Sequence, residues 1–358
     1  MAINPNEHHY SKEDAFCQNQ LQLLVRAAGE TALASVCADN GHDVTLWVRS
    51  AEIAEQINVK HTNEKYLPNE VLPEAIRACT DLAEVVTGKK YVLLVTPSHA
   101  MRAVVSQLAS YLEPDVLLIH ATKGLEQDTL KRMSEVIAEE VPAEIAERIV
   151  VLTGPSHAEE VIRRSPTTVV VSSKSHDAML AAQDLLMNGA FRVYTNADMI
   201  GAEVAGSLKN IIALGAGLSD GLGFGDNAKA ALLTRGLAEI GRLGVKMGAN
   251  PLTFSGLAGV GDLVATCTSK HSRNWRAGYL LGQGKTVEEA LAELVMVVEG
   301  VRTTSAAKTL AEREGVEMPI TRGIYSVLFE GKSVRQVVEE LMGRGRTFEM
   351  EDIIRYRM

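Results

Sequence analysis

Five short apolar runs in the first half of the chain constrain its fold more than any other feature. They are rich in valine, isoleucine and leucine, and helical stretches separate them. Such runs are typical of strands that are buried on both faces of a parallel sheet. Their alternation with helices predicts βαβ units and therefore an α/β fold with a Rossmann-like, doubly wound sheet. The runs are DVTLWV (43–48), YVLLVT (91–96), VLLIHA (116–121), IVVLTG (149–154) and TTVVVSS (167–173).

The helices between these strands are marked by a capping residue and by the spacing of apolar residues. Ser50 is a candidate N-cap for a helix over SAEIAEQINVKH (50–61). Apolar residues recur at helical spacing in SHAMRAVVSQLASYL (98–112) and in DTLKRMSEVIAEEV (128–141). We therefore expect a helix in each of these three stretches.

The pattern changes after about residue 196. The remaining stretches are helical in period, and no further run is as strand-like as the five above. We expect a dinucleotide-binding domain over residues 1–198, in which residues 1–30 are atypical, and an all-α domain with substrate and catalytic groups over residues 199–358. Ligands of such folds bind at the carboxyl ends of the strands, often in a cleft between domains.

The composition limits the partners of the protein. The formal net charge of −9 argues against nucleic acid or an anionic membrane as the main partner. No apolar run approaches the ~18 residues that span a bilayer, and the start of the chain does not resemble a secretory signal. The nine histidines form no HxxxH or HExxH pair, so we expect no metal site. No cysteine pair has CxxC spacing, and we expect reduced thiols in a cytoplasmic protein at Cys17, Cys37, Cys79 and Cys267.

The loop that holds the pyrophosphate in a dinucleotide-binding fold is altered in this chain. Such folds place G-x-G-x-x-G after the first strand, because glycine permits the tight turn and the close approach of the phosphates. In VRAAGETALA (25–34) these three positions hold Val25, Ala27 and Glu30, and Gly29 is out of phase. A carboxylate ~4 Å from a phosphate charge costs about 1–4 kcal/mol, depending on the local dielectric. Taken alone, these residues favour a tight turn that binds no nucleotide.

Arg49 closes the second predicted strand. NAD-specific folds place Asp or Glu near this point to bind the ribose hydroxyls, whereas an arginine accommodates a 2′-phosphate. An isolated surface arginine is usually only solvated. Within this fold, Arg49 favours NADP(H), or at least tolerance of it.

Five later stretches combine polar residues with apolar or glycine-rich surroundings, and each has an ordinary structural interpretation. A lysine in an apolar helix, such as Lys209, often extends its amine to water. An acid after a glycine turn, such as Asp262, is often a helix N-cap. By themselves, SRN (272–274) is typical of a solvated loop, Glu299 of a surface carboxylate and Met296 of a core residue. The stretches are HATKGLE (120–126), LTGPSHAEEV (152–161), EVAGSLKNIIALGAGLSDGLGFGDNAKAAL (203–232), GLAGVGDLVATCTSKHSRNWRAG (256–278) and MVVEGVRT (296–303).

Together these stretches resemble the bacterial NAD(P)-dependent glycerol-3-phosphate dehydrogenases. The resemblance runs from about Thr31 to about Asp352, and GPSHAEEV, GDNAKAALLTRGLAEI and SRNWRAG are its most specific segments. It implies a Rossmann-like domain followed by a helical domain, with NADP or NAD as cofactor. It also implies a homodimer, and reduction of dihydroxyacetone phosphate to sn-glycerol 3-phosphate for phospholipid synthesis.

The resemblance also implies roles for single residues. Lys209 would donate or accept the proton, with Asp262 and Lys123 beside it at the substrate. A lysine among apolar residues and near another cation has a lowered pKa, which suits proton transfer at neutral pH. The implied substrate residues are Lys123, Gly154, Ser156, Lys209, Asn210, Asp262, Ser272, Arg273 and Asn274. The implied cofactor residues are Arg49, Lys123, Ala158, Arg273, Val297 and Glu299.

The altered loop has a specific explanation in the DNA. Family members read GAGSWGTALA or VAGSWGTALA where this chain reads VRAAGETALA. Codons GCG-GGC-AGC-TGG-GGA-ACG encode AGSWGT, and the same bases read one position later, CGG-GCA-GCT-GGG-GAA, encode RAAGE, which are residues 26–30. We therefore hypothesise a compensated frameshift, in the gene or in its sequencing, that ends before Thr31. Since Ala28 and Gly29 replace the Ser-Trp pair, we expect a lower affinity for the cofactor.

Two other functions stay open from the sequence. The altered loop favours a catalytically silent homologue that binds a phosphorylated ligand or a partner subunit. A dehydrogenase of similar architecture that acts on a β-hydroxyacid would need a carboxylate-binding site and no phosphate site. Inhibition by inorganic phosphate or by glycerol 3-phosphate would distinguish this last class from the first.

Overall fold

An eight-stranded sheet forms the first part of the molecule in a computed structural model that describes residues 20–24, 28–294, 297–346 and 349. The strands are β1 (Gln20–Leu24), β2 (Asp43–Trp47), β3 (Thr62–Asn63), β4 (Leu67–Val71), β5 (Ile76–Cys79), β6 (Tyr91–Leu94), β7 (Leu117–His120), β8 (Val150–Thr153), β9 (Thr167–Ser172) and β10 (Phe191–Asn196). The sheet order is β10-β9-β8-β7-β6-β1-β2-β5, while β3 and β4 form a separate antiparallel pair. Neighbouring strands of the large sheet are parallel except β8 and β9.

The five apolar runs form β2, β6, β7, β8 and β9, and the predicted α/β class is confirmed. The sequence did not predict β1, β5 or β10. CQNQLQLL (17–24) has the composition of a poor first strand, yet β1 lies inside the sheet between β2 and β6, where Leu23 pairs with Leu46 on one side and Leu93 on the other. Backbone hydrogen bonds to two buried neighbours can hold a strand whose own composition is unfavourable.

Helices cover both faces of the sheet, as a doubly wound fold requires. They are α1 (Ala28–Asp39), α2 (Ala51–Glu55), α3 (Leu82–Val86), α4 (Met101–Leu108), α5 (Met133–Glu140), α6 (Ala143–Ala146), α7 (Ala158–Ile162) and α8 (His176–Leu186). Ser50 caps α2 as predicted, because its hydroxyl accepts a hydrogen bond from the Ile53 N–H at 3.4 Å. A π-helical turn, Gln56–Lys60, extends α2.

The predicted helix over residues 128–141 is too long. The structure begins α5 at Met133, because Leu130 has a φ of +61° and Arg132 pairs with Leu125 in an isolated bridge. A positive φ is incompatible with a right-handed helix. The chain from 125 to 132 therefore turns back on itself before the helix starts.

A helical bundle follows the sheet. Its helices are α9 (Met199–Gly221), α10 (Asp226–Lys246), α11 (Asp262–Thr268), α12 (Arg273–Gly282), α13 (Val287–Leu294), α14 (Glu299–Glu314), α15 (Pro319–Phe329) and α16 (Val334–Met342). The long helix α9 is buried over nearly its whole length, and α10, α11, α12 and α14 pack around it. β10 ends at Asn196 and α9 begins at Met199, but the division into domains at 198/199 stays a prediction.

The approach of α12 to α9 is unusually close. A Cβ at Gly217 would overlap the carbonyl oxygen of Trp275, and a Cβ at Gly278 would overlap that of Leu214. Glycine at both positions lets the two backbones touch. This contact brings the start of α12 against the middle of α9.

A buried ion pair joins α9 to the sheet. The Glu203 carboxylate pairs with Arg132 and accepts hydrogen bonds from the Ser134 N–H at 2.8 Å and the Ser134 hydroxyl at 2.6 Å. Burial disfavours the ionised acid, but hydrogen bonding and charge from His120, with Arg132 and Ser134, outweigh it and lower the pKa of Glu203 to about 2. The carboxylate therefore stays charged and fixes α9 to the start of α5.

Among the helices of the described residues, none combines the length and hydropathy needed to cross a bilayer.

Candidate active site

The order of the strands reverses direction at β1 and β6, where a doubly wound sheet opens a crevice for its ligand. From β1 the chain builds outward to β2, and from β6 it builds to β7 and β8 on the other side. Residues that follow β6 and β7 lie in this region with the middle of α9, since Ser98 contacts Glu299, and Lys123 and Lys209 contact Asp262.

Lys209 lies at the centre of this region. It is on α9, it is only 4% exposed, and its Nζ bonds to the Asp262 carboxylate and to the Thr266 hydroxyl, the latter at 2.6 Å. Thr266 in turn donates its hydroxyl proton to the carbonyl oxygen of Asp262 at 2.6 Å. The interpretation of Lys209 as a lysine that reaches water is wrong, because its amine ends in this buried cluster.

A second lysine approaches the same carboxylate from the sheet. Lys123 follows β7, and its Nζ lies 2.9 Å from the second carboxylate oxygen of Asp262 and 3.4 Å from the carbonyl oxygen of Gly154. Asp262 is 1% exposed and is the first residue of α11, whereas Gly261 holds the N-cap position. The N-cap interpretation of Asp262 is therefore wrong, and one buried acid lies between two ammonium groups.

Burial and charge together tune these groups. Burial is the main cause that lowers the pKa of Lys209 to about 7; Lys123 lowers it further, and Asp262 opposes the change. Burial acts to raise the pKa of Asp262, but the two lysines outweigh it and hold that pKa below its ordinary value. Lys209 can therefore gain and lose a proton near neutral pH while Asp262 stays ionised.

The start of α12 lies against this cluster. The Asn274 amide donates to the side-chain oxygen of Asn210 at 2.9 Å and accepts from the Gly300 N–H at 2.8 Å. Ser272 caps α12 by accepting from the Trp275 N–H at 3.2 Å. SRN is therefore not a solvated loop, because Ser272 and Asn274 are buried.

The loop after β8 supplies a backbone platform. Gly154 has a φ of +127°, and a Cβ there would lie 3.0 Å from the Cα of Val169, so only glycine fits. The Ser156 hydroxyl donates to the Gly154 carbonyl oxygen at 3.2 Å. Ala158 begins α7 directly behind this turn.

The predicted cofactor residues lie along the same crevice and beyond it. Glu299 begins α14, and its carboxylate accepts from the Ser98 N–H at 3.3 Å and the Ser98 hydroxyl at 2.8 Å, so it is not merely a surface group. Arg273 donates to the Val297 carbonyl oxygen at 3.3 Å. Arg49 is exposed after β2, with its guanidinium 5.7 Å from the centre of the Trp47 ring.

Sequence reasoning missed Thr266 and Ser98. Thr266 lies four residues after Asp262 on α11, and that spacing places both on one helix face, so the signal was present. Ser98 follows β6, and only the folded contact with Glu299 identifies it.

The altered loop is described in part. Val25 and Ala27 lie outside the described residues, as does Met296. Glu30 is fully buried in the first turn of α1, and the amide of Asn63 donates to the neighbouring Thr31 hydroxyl at 3.1 Å. A buried acid in the first helical turn interacts favourably with the helix dipole.

A cavity of about 1000 Å³ lies elsewhere, between α9, α10, α15 and α16. Its walls are mainly apolar, with Leu218, Ile324 and Val337 among them. The described residues that line this cavity do not include Lys209 or its partners. The cavity is therefore separate from the candidate active site.

A Rossmann-type sheet with a buried lysine–aspartate pair at its switch point defines a dehydrogenase that uses a nicotinamide dinucleotide. Comparison with known proteins narrows the class. Two family models match: the NAD-dependent glycerol-3-phosphate dehydrogenase N-terminus over residues 29–179 and its C-terminus over residues 198–339. The chain therefore belongs to the NAD-dependent glycerol-3-phosphate dehydrogenase family.

Individual relatives agree with the family. Proteins named glycerol-3-phosphate dehydrogenase, NAD(P)+-dependent, from Bacillus licheniformis and Bacillus subtilis are each 55% identical, over 94% of this chain and 97% of theirs. The crystal structure of glycerol-3-phosphate dehydrogenase from Coxiella burnetii is 37% identical and superposes with a TM-score of 0.86, covering 92% of this chain and 100% of that one. A ketopantoate reductase from Ralstonia eutropha, at 14% identity and a TM-score of 0.55, covers 90% of this chain and 99% of its own and shares the fold alone. These findings confirm the predicted family and give no support to a silent homologue or a β-hydroxyacid dehydrogenase.

Proposed function

We propose that this chain reduces dihydroxyacetone phosphate to sn-glycerol 3-phosphate with NADH or NADPH. The observation that carries the proposal is the buried Lys209, whose amine bonds to Asp262 while Lys123 holds the other oxygen of the same carboxylate. This arrangement places a proton donor with a pKa of about 7 beside a second, fixed cation. A ketone reduction needs both groups at one oxygen atom.

The dinucleotide fits the crevice at the switch point. The Ser98–Glu299 contact and Lys123 lie beside it, and α1 begins directly behind β1, so a helix N-terminus is available to the phosphates. When bound, the nicotinamide ring supplies a hydride to the carbonyl carbon of the substrate. Buried Glu30 is the one feature that opposes this fit, through its charge near the phosphates.

Lys209 supplies the proton that balances the hydride. Its protonated Nζ donates to the carbonyl oxygen as that atom gains negative charge, and the alcohol forms. Asp262 holds Nζ in place by accepting one of its hydrogen bonds, and the Thr266 hydroxyl orients the amine by accepting a second. Lys123 stabilises the charge on the oxygen while it develops.

The polar start of α12 holds the phosphate in this proposal. Arg273 offers a planar guanidinium for two oxygen atoms, and Ser272 and Asn274 flank it. Asn210 fixes the position of Asn274. Gly154 and Ser156 bound the substrate from the sheet side, and Arg49, Ala158, Val297 and Glu299 complete the cofactor side.

The wider setting is part of the same proposal. A phosphorylated small molecule is the substrate, the protein acts in the cytoplasm as a homodimer, and its product feeds phospholipid synthesis. The first 198 residues bind the dinucleotide, and the remainder carries Lys209 and Asp262. Relatives named glycerol-3-phosphate dehydrogenase, NAD(P)+-dependent, support the phosphorylated substrate and the dinucleotide. The location, the homodimer, the role in phospholipid synthesis and the division into domains are carried by the family resemblance.

The test is oxidation of NADH and NADPH by the purified protein, with and without dihydroxyacetone phosphate. We expect turnover of ~1–1000 per second with one or both cofactors. Lys209→Met serves as the matched control and should lose nearly all turnover while the protein stays folded. A folded wild-type protein that binds glycerol 3-phosphate in calorimetry but never oxidises either cofactor would contradict the proposal.

A further inference from the structure

Ser207 ties the two active-site lysines together through the backbone. It is buried on α9, two residues before Lys209. Its hydroxyl accepts a hydrogen bond from the Gly124 N–H at 2.9 Å and donates one to the Gly124 carbonyl oxygen at 3.1 Å. Gly124 directly follows Lys123. One hydroxyl therefore joins the loop that carries Lys123 to the helix that carries Lys209.

The loop at Gly124 has no room to shift toward its other neighbours. Gly124 has a φ of +145°, a region that favours glycine. A Cβ there would lie 2.8 Å from the Cβ of Ser98 and 3.4 Å from a carboxylate oxygen of Glu299. The backbone of this loop is thus packed between three elements, and Ser207 bonds both of its polar groups.

The helix on the other side of this contact is itself fixed. Glu203 lies one turn before Ser207 and is bound by Ser134 and Arg132 at the start of α5. Because these contacts fix α9 at that point, the hydroxyl of Ser207 holds a fixed position against the loop. A buried backbone N–H and carbonyl that lose their partner are costly, so the loop would rearrange without it.

The side chain of Lys123 depends on that loop. It is 25% exposed, its closest contact is Asp262 at 2.9 Å, and its other contact is a longer one to the Gly154 carbonyl oxygen. A partly exposed lysine with four rotatable bonds holds such a geometry only when its backbone is fixed. The position of Lys123 then decides how its charge acts on the substrate oxygen and on Lys209.

We propose that Ser207 is a positioning residue for the reaction, which holds Lys123 in its salt bridge with Asp262 through the two hydrogen bonds to Gly124. The expected change in rate rests on the proposed function. The expected change in the position of Lys123 does not, because it can be tested without turnover. Loss of the hydroxyl should then act on Lys209 through Lys123.

The direction of the effect follows from the groups that face Lys209. These are Asp262 and Cys267 from α11, Lys123 from the loop after β7, and His157 before α7. Withdrawal of Lys123 removes a repelling cation and leaves Asp262 to Lys209 alone. Both changes favour the protonated amine, so the pKa of Lys209 should rise.

The experiment compares Ser207→Ala with Ser219→Ala. Ser219 is a buried serine on the same helix, and its hydroxyl has no hydrogen-bond partner among the described residues, so its loss should change nothing. The pKa of Lys209 is measured by NMR with ¹³Cε-labelled lysine, with its resonance assigned by its absence in Lys209→Arg. We expect Ser207→Ala to raise that pKa by at least about half a unit, and Ser219→Ala to leave it in place.

Kinetics and a double-mutant cycle complete the test. Ser207→Ala should lower kcat for the reduction about tenfold with little change in the KM for NADH. In a Lys123→Met background the same substitution should lower kcat by less than about a further twofold, because the lysine through which Ser207 acts is absent. Equal pKa values in the two serine variants, or a full effect that persists in Lys123→Met, would overturn the proposal. If the wild-type protein shows no turnover, the proposed function fails while the NMR comparison still decides the role of Ser207.

Discussion

At the scale of single residues, we expect the ionisation of Lys209 to decide how the reaction depends on pH. Burial is the main cause that lowers its pKa to about 7. Reduction of a ketone needs the protonated amine, so we expect kcat/KM for reduction to fall as pH rises above about 7. Oxidation of the alcohol needs the neutral amine and should rise over the same range. Steady-state rates in both directions check this, and a reduction rate that stays flat from about pH 6 to about pH 9 would assign the proton to another group.

Asp262 gives a second prediction at this scale. Asp262→Asn leaves two ammonium groups facing one another without the carboxylate between them. Breaking a buried ion pair in this way costs about 3–5 kcal/mol, and partial exposure of Lys123 places the expected value at the lower end. The loss should shrink above neutral pH, because Lys209 then deprotonates. Urea unfolding near pH 6 and near pH 9 measures both values.

The double variant Asp262→Asn with Lys209→Met is the control for this prediction. It removes the uncompensated cation as well as its partner, so it should recover much of the lost stability. A double variant that is as unstable as the sum of its parts would show that packing, and not charge, causes the loss.

At the scale of elements, the carboxylate of Glu239 on α10 is buried against the start of α15, and its pKa shifts in the opposite direction. Burial raises the pKa of Glu239 to about 7, although its oxygens accept from the N–H groups of Ile320 and Thr321. The folded protein then binds more protons than the unfolded chain between pH 4.5 and about 7, so stability falls as pH rises through that window. Glu239→Gln should remove this slope, although its amide nitrogen cannot accept a hydrogen bond and leaves one of the two N–H groups without its partner, at a cost of about 1–3 kcal/mol at every pH.

Unfolding in urea at several pH values tests the prediction for α15. Glu312→Gln is the matched control, because that glutamate is on the neighbouring α14 with a half-exposed side chain. The control should keep the slope of the wild-type protein. An unchanged slope in Glu239→Gln would mean that the acid ionises as freely in the fold as in water.

The contact of α9 with α12 gives a prediction that joins packing to binding. A Cβ at Gly278 would overlap the Leu214 carbonyl oxygen, so Gly278→Ala must push the helices apart, at about 1–3 kcal/mol. Since Arg273 and Asn274 begin α12, we expect the KM for dihydroxyacetone phosphate to rise more than kcat falls. Gly241→Ala on α10 is the control: its Cβ would meet Phe254 at an ordinary 3.8 Å, and it should stabilise slightly.

Elements also show how far the sequence predicts the fold. Strands with apolar side chains on both faces, such as β6 and β7, are visible because burial imposes their composition. The strand β1 is not, because its place depends on partners that lie distant in the chain. The sequence also does not predict that α5 begins only at Met133 and not near residue 128, because the spacing of apolar residues does not reveal the positive φ at Leu130.

At the scale of the whole molecule, the site forms from segments that are far apart in sequence. Lys123 and Asp262 bond across 139 residues, and Ser98 and Glu299 across 201. In their separate sequence surroundings, Lys209, Asp262 and Glu299 fit a lysine that reaches water, an N-cap and a surface acid. Only the resemblance to a known family brought Lys209 and Asp262 together before the structure did, and it carried no signal for Ser207.

The sequence of the dinucleotide loop departs from the family pattern, although the elements around the loop adopt the expected fold. The family model for the N-terminal part begins to match at residue 29, inside residues 26–30, where the frameshift hypothesis places the altered bases. The start of α1 nevertheless follows β1, and Thr31 bonds to Asn63. The scaffold for a cofactor is therefore present, while Glu30 is a buried acid in the first turn of α1, near the expected phosphate position.

Restoring the loop tests whether it limits the enzyme. A variant in which residues 25–30 read GAGSWG removes Glu30 and returns glycine to the three turn positions. We expect NADH and NADPH to bind at least about tenfold more tightly, because one like-charge contact near ~4 Å is worth about 1–4 kcal/mol. Fluorescence titration of the reduced cofactors measures this, and Glu30→Gln alone separates the charge from the glycines. If the restored variant and the natural chain bind both cofactors equally, the altered loop accommodates the pyrophosphate as it stands, and Glu30 does not repel it.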